Sequence, residues 1–194
     1  MRKNLAVFGL SMLLTGGLVL TYLWFVSTDE EHMRQMLRLS AWTAILIYLI
    51  IFVARPLRQL SGSPATKKLL KNRRYFGIAL AGVMTVHLVL LLIVNEQAFN
   101  LPGAIVYGFM YLMLFTSFDA SPAKLGPRNW RILHKTGLYA LGIAYLGTVV
   151  GALLKAPLNL IYLTLTTLML AAIAIRIAAF CKARQRTEAI DSAR

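Results

Sequence analysis

Six long apolar runs, separated by short polar connections, constrain this chain more than any motif in it. They lie at about Leu5 to Val26, Leu39 to Val53, Tyr75 to Val94, Leu101 to Phe118, Ile132 to Leu153 and Pro157 to Ala179. A helix rises about 1.5 Å per residue, so about 20 residues cross a hydrocarbon core of about 30 Å. The runs are continuous rather than alternating, which excludes a transmembrane barrel. Hydrophobic residues make up 58% of the 194, and mean hydropathy is +0.66. That is more apolar surface than one soluble core of this size hides. The chain reads as an all-α membrane protein: a six-transmembrane-helix bundle in one domain, residues 1–194, with a polar cytoplasmic tail over 180–194. The second and fourth helices are expected to be short. The first run, preceded by Arg2 and Lys3, is longer than a signal-peptide core and no A-x-A site follows it, which favours a retained helix.

The cations set the orientation. With a cytoplasmic N-terminus, that side receives Arg2, Lys3, Arg55, Arg58, Lys67, Lys68, Lys71, Arg73, Arg74, Lys124, Arg128, Arg131, Lys135, Arg176, Lys182, Arg184, Arg186 and Arg194. The other side keeps Arg34, Arg38 and Lys155, beside Asp29, Glu30, Glu31 and Glu96. Eighteen against three is a positive-inside pattern with both termini cytoplasmic. It also accounts for the net charge of +14 through membrane lipid at an anionic leaflet, with no nucleic acid as partner.

The segments Ala54 to Arg74, with Pro56, Gly62 and Pro64, and Asp119 to Arg131, with Pro122, Gly126 and Pro127, are expected to be cytoplasmic loops. No G-x-G-x-x-G follows a strand, so the chain carries no flavin or nicotinamide module of its own. Cys181 is the single cysteine, which excludes an intrachain disulfide and a cysteine-rich metal site.

Chemistry rests with the histidines. His87 lies inside the third run and His134 at the rim of the fifth, where an ionisable group is costly and usually functional. Imidazoles projecting into a helical bundle are a common way to hold haem iron, and a hydrogen bond to a neighbouring carbonyl or hydroxyl is the plainer use. His32 sits in Asp29-Glu30-Glu31-His32, which reads as a solvated helix start with acids suited to the dipole.

Arg73-Arg74-Tyr75-Phe76-Gly77, followed after nine residues by His87, and the stretch from Leu125 through Arg128-Asn129-Trp130-Arg131 to His134-Lys135 resemble the ferric reductase-like transmembrane domain. Within it the pattern is most similar to the haem-binding subunit of bacterial methionine-sulfoxide reductase systems, the MsrQ (YedZ) family. Trp42 and Arg55-Pro56-Leu57-Arg58-Gln59-Leu60 fit as well, so the likeness covers about residues 39–150. The resemblance implies a six-helix cytochrome of the bacterial inner membrane with haem b between the third and fifth helices. It implies an electron relay from a cytoplasmic flavin reductase, external FMN or a quinol to a periplasmic reductase. His87 and His134 match haem ligands of the family, and Arg74 is placed to meet a haem propionate.

The chain departs from that pattern in one place. The family has a second fifth-helix histidine about thirteen residues after the first, near Gly147 or Thr148, and none follows His134 here. Tyr145 is the nearest residue with an oxygen to offer. His87 lies about 20 Å along its helix from Arg74, and His134 about 4.5 Å beyond Arg131. If both arginines mark one interface, the imidazoles differ in depth by about 15 Å, against the few ångströms that one iron requires. His87 is then the stronger ligand, with its sixth position open or met by Tyr145 or His32. The alternative function is a redox-inactive small transporter or assembly factor on the same scaffold.

Overall fold

The computed structural model describes residues 2–25, 29–94, 101–117 and 125–192. Among these it contains helices and no strands: α1 Arg2–Phe25, α2 Glu30–Ser61, α3 Pro64–Val94, α4 Leu101–Phe115, α5 Pro127–Lys155 and α6 Leu160–Ser192. All but α4 are long and apolar enough to cross a membrane, and α4 has 15 residues. Glu96, Phe118, Asp119, Pro122, Lys124 and Arg194, which figure in the expected connections and tail, lie outside the described residues.

Local chemistry places the helix ends. Asp29 caps α2: its carboxylate accepts from the His32 backbone N–H at 2.9 Å and its carbonyl from that of Met33 at 3.1 Å. Glu30 and Glu31 then sit in the first turn, suited to the positive end of the helix dipole. They pair with Arg34 and, at 3.5 Å, with Arg38. The helix start read at His32 is therefore present, and α2 is 32 residues long rather than the short span expected.

The expected loop from Ala54 to Arg74 is almost wholly helix. Only Gly62 and Ser63 separate α2 from α3. Gly62 has a positive φ of 65°, the left-handed geometry that ends a helix and that glycine adopts without a Cβ clash. Its N–H returns to the Arg58 carbonyl at 3.2 Å, and the Arg58 guanidinium covers the Gly62 carbonyl. Ser63 caps α3, its hydroxyl accepting from the Thr66 N–H at 3.3 Å. Pro64 takes the first helical position, where a missing N–H costs nothing. The sixth helix likewise begins later than expected. Asn159 accepts from the N–H groups of Ile161 and Tyr162, so α6 starts at Leu160 rather than Pro157.

The chain packs as two units, Met1–Tyr48 with Arg74–Tyr145, and Leu49–Arg73 with Leu146–Arg194. In the first, Ala44, Ile45, Tyr48, Ile78, Ala81, Val83, Leu138 and Leu141 are buried. A satellite of Val19, Met36 and Leu90 gathers Tyr22, Leu37 and Val86. Large apolar side chains elsewhere point outward, among them Leu18 and Ile143, each 74% exposed. Such surfaces suit lipid contact rather than water.

In the second unit Ile51, Phe52, Val149, Leu165, Met169 and Ala172 are buried. Pro56 lies inside α2 and has no N–H, so the carbonyl four residues earlier, on Phe52, loses its helical donor. Arg176 of α6 donates to that carbonyl at 3.2 Å, and its guanidinium lies 4.5 Å from the centre of the Phe52 ring. A proline inside an apolar helix is tolerated where a neighbour satisfies the freed carbonyl, and Arg176 does this for Pro56. Counted among the cytoplasmic cations from sequence, Arg176 is a half-buried structural group within the last apolar run.

Pro56→Ala restores a backbone donor to Phe52, so Arg176→Met is expected to cost less in that background than in the natural chain. In reversible unfolding in detergent, the double-mutant cycle is expected to give a coupling of about 1 kcal/mol. Additive effects would remove the proposed exchange of donors.

Candidate functional site

The sequence-derived site residues all fall in the first unit, where one proton on each of two hydroxyls decides their chemistry. Ser40, on α2 and 3% exposed, donates its hydroxyl proton to the Leu37 carbonyl at 2.9 Å. Its oxygen lies 2.9 Å from Nδ1 of His87. A hydroxyl has a single proton, so while it is given to Leu37 the bond to His87 is made by an Nδ1–H. A neutral ring protonated at Nδ1 has a bare lone pair on Nε2. That is the state of a histidine ready to bind a metal, its other nitrogen oriented by a hydrogen bond.

His134 has the opposite arrangement. Thr116, buried just beyond α4, donates its hydroxyl proton to the Leu112 carbonyl at 2.7 Å. Its oxygen lies 3.0 Å from Nε2 of His134. By the same count, while that proton is on Leu112 the bond is made by an Nε2–H, and Thr116 occupies this nitrogen. The ring also stacks on Trp130, with centres 4.2 Å apart and planes at 29°.

Around Thr116 the end of α4 is tied to three other helices. The Trp130 indole donates to the Thr116 carbonyl at 3.0 Å. The Ser117 carbonyl receives both the Arg74 guanidinium and the Asn4 amide, the latter at 3.4 Å. Carbonyls in the last turn of a helix have no helical donor and carry partial negative charge, so a cation and two neutral donors meet a local demand. Arg74, assigned to a propionate by the resemblance, is exposed and bonded here. Asn4, only 3% exposed, was not singled out from sequence. A buried amide near the start of an apolar helix is the signal that marks it.

Tyr145 is buried with its ring edge-on to Tyr48, centres 5.1 Å apart. The Tyr48 hydroxyl donates to the Leu138 carbonyl at 3.0 Å and passes over Gly142, where a Cβ would strike it. Glycine at 142 therefore leaves room for the tyrosine's approach. Gly82 and Gly137 face Ser11 and Met113 in the same way. The Tyr145 hydroxyl has no hydrogen-bond partner among the described residues. An orphaned buried hydroxyl is costly unless another group meets it.

Of the two rings, His87 meets its hydroxyl through Nδ1 and His134 through Nε2. No group of three or more His, Cys, Asp or Glu side chains is assembled among the described residues. His32 is tied to Asp29 at 2.5 Å at the start of α2. The chain matches no protein-family model, no curated protein and no solved structure in the comparisons made.

Replacing Thr116 by Val removes both the acceptor for His134 and the donor to Leu112. It is expected to cost about 1–3 kcal/mol of stability, while Thr116→Ser stays within about 0.5 kcal/mol of the natural chain. Equal losses in detergent unfolding would assign the effect to the methyl group instead.

Proposed function

We propose that this chain is a membrane cytochrome of the b type, with His87 as axial ligand, relaying electrons between partners on the two sides of a bacterial inner membrane. The observation that supports it best is the Ser40–His87 pair. A buried hydroxyl orients the imidazole and leaves the ligating nitrogen bare. Haem in that position supplies a reversible one-electron couple, tuned through axial ligand, burial and hydrogen bonding.

The chain's own part is positional. Ser40 holds the ring plane through the bond at Nδ1. The apolar side chains of α3 beside His87, Met84 and Leu90 among them, exclude water. Tyr145 offers an unsatisfied hydroxyl within the same unit. Because the sequence contains no flavin or nicotinamide module, a cytoplasmic flavin reductase or a quinol is the donor in this proposal. A periplasmic reductase is the acceptor, both termini are cytoplasmic, and residues 39–150 form the haem-binding core.

A redox-inactive transporter or assembly factor is the second reading. The observation in its favour is His134, whose protonated Nε2 is committed to Thr116, together with the missing later histidine.

Optical spectra of the protein purified after expression with ample haem separate the two. A Soret band with reducible visible bands is expected, lost in His87→Ala and retained in His134→Gln. Ser40→Ala is expected to weaken haem retention about 10- to 100-fold. Haem-free natural protein, or a spectrum indifferent to His87, would overturn the cytochrome.

A further inference from the structure

A second concentration of chemistry lies in the other unit, away from the histidines in sequence. Gln59 near the end of α2 and Ala179, Lys182, Ala183 and Arg186 of α6 line a cleft of about 210 Å³. Ala179, Lys182 or Ala183, and Arg186 recur at helical spacing, so one face of α6 turns toward α2. The two alanines leave the space and the two cations rim it. The volume is below the roughly 300–1,000 Å³ of pockets that enclose drug-sized ligands, which suits a small headgroup rather than a whole metabolite.

The charge in this cleft is uncompensated. Lys182 is held in place, its ammonium donating to the Leu60 carbonyl at 2.9 Å in the last turn of α2. Arg186 stands four residues on, where like charges on one helix face repel. Arg186 makes no hydrogen bond or ion pair among the described residues. The unit's only carboxylates are Glu188 and Asp191. Glu188 is paired with Arg184 at 2.8 Å, and Asp191 lies five residues beyond Arg186. From α2 the cleft is met by the neutral Gln59 amide, while Arg58 is bonded to the Gly62 and Ser63 carbonyls. An anion between Lys182 and Arg186 relieves the repulsion, and the Gln59 amide can donate to it.

The position selects the kind of anion. The cleft opens where α6 leaves its apolar run, just past Ile177 and Phe180, which are 59% and 69% exposed. Cations at the end of an apolar run lie at the level of lipid headgroups, where an anionic phospholipid presents its phosphate. We infer that Gln59, Lys182 and Arg186 form a binding site for the phosphate of an anionic phospholipid. A guanidinium and an ammonium together give the planar and point-charge contacts that phosphate takes.

The full-length protein, purified and delipidated in neutral detergent, is titrated with phosphatidylglycerol, with phosphatidylcholine and with inorganic phosphate, and retained ligand is counted by native mass spectrometry. Phosphatidylglycerol is expected to bind ahead of both others. Arg186→Gln is expected to weaken it about fivefold, and the pair Lys182→Gln with Arg186→Gln about 25-fold. Arg186 makes no intrachain bond, so its variant tests the site even where loss of Lys182 disturbs the end of α2. Equal binding of phosphatidylcholine, competition by inorganic phosphate at equal concentration, or an unchanged Arg186→Gln would each overturn the assignment.

Discussion

Inside an apolar span there is no water to satisfy a backbone carbonyl, and much of this structure follows from how its side chains answer that demand. Pro56 frees the Phe52 carbonyl, and Arg176 covers it. The end of α4 leaves carbonyls at Thr116 and Ser117, and Trp130, Arg74 and Asn4 reach them from other helices. Lys182 does the same for Leu60. Each meets a carbonyl that its own helix leaves without a donor.

The same demand decides the histidines. Ser40 and Thr116 each give their proton to a carbonyl of the preceding turn, which leaves only an oxygen for the imidazole beside them. Because Ser40 meets Nδ1 and Thr116 meets Nε2, the two histidines are held at opposite nitrogens. One presents a bare nitrogen at the tip of its ring. The other is a donor locked under Trp130.

Helix number and type were legible in the sequence because apolar runs of spanning length have few alternatives. Their ends were not. Hydropathy stops at the first charges, so the polar ends of α2 and α3 read as a long loop from Ala54 to Arg74. Gly62, Ser63 and Pro64 in fact complete the turn within two residues. Pro56 suggested a break, and its acceptance inside α2 depends on Arg176, 120 residues away. Of the candidate site, His87 and His134 were visible as costly residues, but their partners were not. Ser40 and Thr116 are ordinary helix hydroxyls until tertiary packing brings an imidazole to each. Tyr145 was noticed as an oxygen near the missing histidine, whereas its packing on Tyr48 over Gly142 required coordinates.

The cytochrome reading and the limited role left to His134 rest on this difference in tautomer. Nitrogen-15 NMR of histidine-labelled, haem-free protein in detergent at neutral pH, assigned with His32→Gln and His134→Gln, observes it directly. The account predicts His87 protonated at Nδ1 with Nε2 bare, and His134 protonated at Nε2. A proton on Nε2 of His87, or a bare Nε2 on His134, would contradict it.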